Sequence, residues 1–132
     1  MASILLIDDD DSIRTMMRLW LARCGHTVIE ARDGREGLDL FPATAADLVI
    51  TDIIMPTQDG LEVIRALQEK QPPVKIIAMS GGGRFAAEHP LDTARRLGAA
   101  RVLAKPFTFD ALMAAIDEVL TDGIAESRHE AT

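Results

Sequence analysis

Short apolar runs alternate along the chain with stretches of helical periodicity. "SILLI" (3–7) is apolar from its second residue onward, as suits a strand buried on both faces. In "SIRTMMRLWLARCG" (12–25), Ile13, Met16, Met17, Trp20, Leu21 and Cys24 recur at helical spacing, and Gly25 supplies a C-terminal stop. "TVIEA" (27–31) predicts a second strand, followed by a short helix "REGLDLF" closed by Pro42. "DLVIT" (47–51) is a third strand, leading through the loop "DIIMPTQDG" to the helix "LEVIRALQE" (61–69). Pro72 and Pro73 break the chain before strand four, "VKIIAM" (74–79). The loop "SGGGRFAAEH" then reaches a helix opened by Pro90, "PLDTARRLG". "RVLA" (101–104) is strand five, and "TFDALMAAIDEVL" (108–120) a last helix with Thr108 as its N-cap. The final "TDGIAESRHEAT" is polar and aperiodic and predicts a frayed tail.

Five strand–helix units with short buried strands predict an α/β fold, a doubly wound five-stranded parallel sheet with helices on both faces. In such sheets ligands bind beyond the carboxyl ends of the strands. Those ends carry Asp8 and Asp9 after strand one, Asp52 after strand three, Ser80 after strand four and Lys105 after strand five. Three carboxylates, a hydroxyl and an ammonium are thus expected to meet at one edge.

Size and charge narrow the function classes. A chain of 132 residues is one domain by length, able to bury a core without metals or disulfides. Cys24 is its single cysteine, which excludes an internal disulfide and fits a reducing compartment. The N-terminus has no basic region ahead of its apolar run, so no signal peptide is expected. No apolar stretch approaches the roughly 18–20 residues that span a bilayer. A cytoplasmic protein without membrane contact is expected. The net charge of −7 argues against direct nucleic-acid binding, which needs a basic face.

Crowded carboxylates repel, so either one binds a proton or a cation sits among them. An all-oxygen site with room for water suits Mg2+, which takes six oxygens at about 2.1 Å. A carboxylate nucleophile, a dication and donors for phosphoryl oxygens are together the requirements of phosphoryl transfer onto an acid. Asp10, Asp11 and Ser12 have a simpler role, since a helix N-terminus welcomes negative charge.

"LLIDD" with an arginine five positions on, "DLVITDIIMPTQDG", "IIAMS" and "VLAKPF" resemble the receiver domain of bacterial two-component response regulators, in particular stand-alone, chemotaxis-regulator-like receivers. The resemblance covers residues 3 to about 121 and implies a domain over 1–121, a polar tail over 122–132 and no output domain. It also implies the flavodoxin-like strand order 2-1-3-4-5. By the same resemblance Asp52 is the phosphoacceptor, with Mg2+ held by Asp9 and Asp52, by the main-chain carbonyl of Ile54, and by Asp8 mainly through water. Lys105 and Ser80 would hold the phosphoryl oxygens, and Gly81 would leave the group accessible. The Lys105–Pro106 bond is usually cis in the family, which aims the lysine into the site. Implied partners are a sensor histidine kinase or histidine phosphotransfer protein, docking near Arg14, Thr15 and Arg18, and a downstream protein target. The oligomeric state would be monomer or phosphorylation-dependent dimer. No enzyme activity is implied beyond self-phosphorylation and autodephosphorylation.

Three departures from that pattern matter. Val102 stands where most receivers carry Tyr or Phe, so an aromatic flip is not the relay. The segment from Ser80 to Lys105 is about three residues longer than usual, and "GGGRFAAEH" is expected to form a flap beside the site. No output domain is expected after the last predicted helix. Two other functions compete. A phosphorylation-independent binding module is favoured only by Val102. A Mg2+-dependent aspartyl-phosphate phosphatase needs an acid two residues after its nucleophile, where this chain has Ile54. "GGGR" lacks the lysine and hydroxyl of a P-loop, and the three histidines have no zinc-ligand spacing. Trp20, Met16, Met17 and Cys24 fall on one apolar stripe and are expected to be core, Cys24 being inert.

Overall fold

The computed structural model describes residues 2–53, 60–70, 75–81, 96 and 98–131. The order of elements is β1 (Ser3–Ile7), α1 (Asp11–Arg23), β2 (Thr27–Ala31), α2 (Gly34–Thr44), β3 (Leu48–Asp52), α3 (Gly60–Lys70), β4 (Ile76–Gly81), β5 (Arg101–Lys105) and α4 (Phe109–Ala131). All strands pair in parallel in the order β2-β1-β3-β4-β5. That is the expected flavodoxin-like sheet.

Successive strand residues point to opposite faces, which divides the core in two. Ile4, Leu6, Leu48, Ile50, Ile77 and Met79 pack with Met17 and Leu21 of α1 and Leu112 and Ile116 of α4. Leu5, Ile7, Val49, Ile76 and Ala78 pack with Phe41 of α2 and Val63, Ile64 and Leu67 of α3. The helix after β1 therefore covers one face and the helix after β3 the other. Because β1 and β3 are neighbours, their connections diverge and open a crevice at their carboxyl ends, where Asp8 and Asp52 stand.

Several expectations change. β3 runs through Asp52, β4 through Gly81 and β5 through Lys105, so Asp52 and Lys105 are the last residues of their strands. Pro42 does not close α2: the helix continues two residues to Thr44 and ends at Ala45 in the left-handed region (φ 49°). Pro42 forfeits the one bond its N–H would make to the Leu38 carbonyl, and the Thr44 hydroxyl adds a bond to the last turn by donating to the Phe41 carbonyl at 2.8 Å. The tail is not frayed, since α4 extends to Ala131. Residues 122–131 contain no proline, and one glycine costs a growing helix only about 1 kcal/mol. Cys24 is the exposed C-cap of α1, with its Sγ 3.3 Å from Met113 Sδ, and is not core. Trp20 is half-buried and meets Phe109 edge-on at 5.5 Å. The loop 54–59, the "GGGRFAAEH" flap beyond Gly81 and most of the helix expected after Pro90 lie outside the described residues.

One histidine is tied into the fold. His26 Nδ1 accepts the Ala2 N–H at 3.0 Å, which requires that nitrogen to be unprotonated. Burial, the largest cause, holds His26 below the ordinary histidine pKa. Its stabilising contribution is therefore complete above the unfolded value near 6.5 and is lost as pH falls through the lower folded value. Urea melts at pH 7 and pH 5 should differ by about 1 kcal/mol from this bond, a difference that His26→Gln should lessen. NMR of the imidazole should show titration below 6.5.

Candidate functional site

The four consecutive acids after β1 separate into two pairs with different tasks. Asp10 is the N-cap of α1, its Oδ1 accepting the N–H groups of Ser12 at 2.9 Å and Ile13 at 3.1 Å. Asp11, in the first turn, pairs with Arg14. This is the helix-terminal role expected of them.

Asp8 is fully buried, and its N–H extends the β1–β2 ladder by donating to the Ala31 carbonyl at 3.2 Å. Its Oδ1 accepts the Asp10 N–H at 2.9 Å, and its Oδ2 accepts Lys105 Nζ at 3.0 Å. Asp9 is exposed. Asp52, 6% exposed at the end of β3, has its Oδ2 3.0 Å from the same Lys105 Nζ. Beyond it the Ile53 N–H donates to the Met79 carbonyl at 2.9 Å, which pins the exit of β3 against β4. One carboxylate oxygen from each of Asp8, Asp9 and Asp52 lies within 4.8 Å of the others. The sheet thus brings together the three acids and the lysine expected at its edge.

Lys105 holds the cluster's charge in check. Burial acts to lower its pKa, but the hydrogen bonds it donates to Asp8 and Asp52 and their negative charge outweigh it, so the ammonium is held above its usual value. It is the charged form at any physiological pH. The peptide bond from Lys105 to Pro106 is cis, as expected.

The donor set fits a small hard dication: three carboxylates, all oxygen, with Asp9 open to water. Both oxygens of Asp8 already accept hydrogen bonds, which suits it to contact through water, while Asp9 is free of that commitment to Lys105. Ser80 lies in β4 opposite Ala104, one residue from the Gly81–Lys105 pairing. Its side chain and the whole of Ile54 lie outside what is described. Val102 is half-buried against the core beneath α2 and α3.

Arg14 differs from expectation. It does not belong to an exposed docking face but is buried, its Nη1 donating to the Asp8 carbonyl at 2.7 Å and its Nε to Glu30 at 3.2 Å. The signal lay in the periodicity: Arg14, Met17 and Leu21 are the buried positions of α1 and share one stripe. Thr15 is exposed, and Arg18, partly exposed, pairs with Glu30 at 3.2 Å.

Among the described residues no helix is long and apolar enough to cross a membrane. Residues 4–117 match the family model described as the response regulator receiver domain. The response regulator MprA of Mycolicibacterium vanbaalenii is 35% identical over 130 residues, an alignment covering 94% of this chain and 54% of MprA. The chain therefore spans about half of that relative's length. A response regulator receiver domain protein from Clostridium thermocellum superposes with a TM-score of 0.84 at 30% identity, covering 95% of this chain and 98% of that one. The response regulator TrrA of Thermotoga maritima, solved in complex with Mg2+ and BeF, gives 0.77 at 32% identity, covering 90% and 99%.

Proposed function

This chain belongs to the response regulator receiver family, and on that premise we propose that it accepts a phosphoryl group on Asp52 in a Mg2+-dependent phosphorelay step. One observation carries the reading: a single ammonium, Lys105 Nζ, stands 3.0 Å from Asp52 and 3.0 Å from Asp8, with Asp9 completing the acidic cluster. The donor is a phosphohistidine on a sensor kinase or histidine phosphotransfer protein, or a small acyl phosphate.

An Asp52 oxygen attacks phosphorus, the bond from phosphorus to the donor atom breaks, and the leaving group keeps the electron pair. Asp52 thereby becomes a mixed anhydride. Lys105 is already beside the attacked position, so it can move from the carboxylate onto a phosphoryl oxygen with little reorganisation. Its raised pKa keeps it a cation throughout. Asp8 and Asp9, with Asp52, would hold Mg2+, which when bound would supply positive charge to offset that of the phosphoryl oxygens. The complex of TrrA with Mg2+ and BeF supports that choice of ion for a similar chain. The sheet edge acts only on its own Asp52, so turnover is limited to self-phosphorylation and hydrolysis of the resulting anhydride in a cytoplasmic protein.

The added group carries roughly −1.5 to −2 charge. Contacts that prefer it in one arrangement of the surrounding loops bias that arrangement and so change the surface a partner protein reads. With Val102 in place of an aromatic, that bias passes through the loops and not through a ring.

Acetyl phosphate with Mg2+ should add one phosphoryl group by intact mass, and chelation should abolish the addition. Asp52→Asn should remove it wholly. Undiminished labelling of that variant would sink the assignment. A binding module independent of phosphorylation would instead keep its full partner affinity in Asp52→Asn, with no response to acetyl phosphate in the wild type.

A further inference from the structure

Arg14 is a buried cation that phosphoryl transfer does not use. Its guanidinium makes three contacts to three separate elements: Nη1 to the main-chain carbonyl of Asp8 at 2.7 Å, Nε to Glu30 of β2 at 3.2 Å, and Nη2 to Asp11 of α1. The Asp8 carbonyl belongs to the peptide that joins Asp8 to Asp9. Whatever fixes that peptide plane fixes how these two acids point relative to each other and to Asp52. Asp8 has one other restraint from its own loop, the Asp10 N–H on its Oδ1. A planar fork with rigidly spaced donors can clamp a strand end, a helix start and a loop carbonyl together, which a flexible ammonium cannot.

We propose that Arg14 is a positioning residue of the acidic cluster, setting the Asp8–Asp9 peptide so that three carboxylates converge on one point. It touches neither phosphoryl group nor ion and acts through Asp8 and Asp9. As far as Mg2+ is concerned the proposal rests on the functional reading above. Groups that orient metal ligands from behind typically change metal affinity 10–100-fold when removed.

The test compares Arg14→Met and Arg14→Lys with a truncation in the core of α4, such as Val119→Ala, chosen to match the stability loss of Arg14→Met. Two measurements are made on each protein: Mg2+ affinity by calorimetry, and hydrogen exchange of the Asp8 and Asp10 amides without metal. Arg14→Met should weaken Mg2+ tenfold or more and speed exchange at both amides tenfold or more relative to the matched variant. Arg14→Lys, with the charge and three donors on a single nitrogen but no planar fork, should fall between. Arg14→Met equal to the matched variant in both measurements would overturn the proposal, as would Arg14→Lys equal to wild type, which would assign the effect to charge alone. If the wild type binds no Mg2+, the functional reading fails, and the exchange rates alone decide the role of Arg14.

Discussion

Lys105→Met should lower stability at pH 7 by about 2–4 kcal/mol, in the range for breaking a buried ion pair tempered by partial exposure of the lysine. The methionine keeps most of the stem's packing but removes the lysine's charge from between Asp8 and Asp52. Their oxygens lie within 4.8 Å, where two unit charges repel by about 3–4 kcal/mol at an effective dielectric near 20. Millimolar Mg2+ should shrink the deficit at pH 7, since a dication replaces the missing charge, and should do so more than equal ionic strength of NaCl. The wild type should lose the same contribution in alkali. A lysine whose folded pKa is raised contributes stability that is complete below about 10.5 and is lost as pH rises through the higher folded value. Denaturant melts at pH 7 and 10.5 with and without Mg2+ check both outcomes. A deficit that Mg2+ does not relieve would mean that the lysine matters for packing and not for charge. Labelling at Asp52 by acetyl phosphate should also slow.

Gly37→Val should lower stability by roughly 2–3 kcal/mol. Gly37 is buried where α2 meets β1. A Cβ there would fall inside contact distance of Ile7 Cδ1 and 2.8 Å from Ile7 Cγ1, with Ala31 Cβ at 3.7 Å. Ile7 is fully buried, so its side chain can give way only against its core neighbours. Helix propensity alone predicts the contrary, since replacing a helical glycine by valine should gain a few tenths of a kcal/mol. The direction of the change therefore tests whether close approach outweighs propensity. Ile7→Val in the same chain should recover part of the loss, and the coupling in that double-mutant cycle should exceed about 0.5 kcal/mol. Because Ile7 immediately precedes Asp8, Gly37→Val should also weaken Mg2+ binding. An unchanged melting temperature would show that α2 can move off the sheet at little cost.

Much of this architecture was readable from local pattern. Alternation of apolar runs with helical stripes located the five strands to within two residues, and Thr108 caps α4 by accepting the Ala111 N–H at 3.0 Å. The differences have local causes too. Proline disfavours helix and so predicts a stop at Pro42, yet α2 runs two residues further, to Thr44. Spacing places Cys24 in the core, but as a helix C-cap it has left the helical screw and its stripe.

Periodicity and the placement of charged residues at strand ends determined, without any coordinates, that this chain forms a doubly wound sheet with Asp8, Asp9, Asp52 and Lys105 at one edge. These are consequences of burial repeating every two or 3.6 residues, a property carried by neighbours in sequence. Only the tertiary structure decided that Asp8 is buried while Asp9 stays exposed, that Arg14 is clamped inside behind them, and that one ammonium bridges two acids. Those facts depend on distances between groups as far apart as the 97 positions separating Asp8 from Lys105, and no local periodicity reports a distance across a folded sheet.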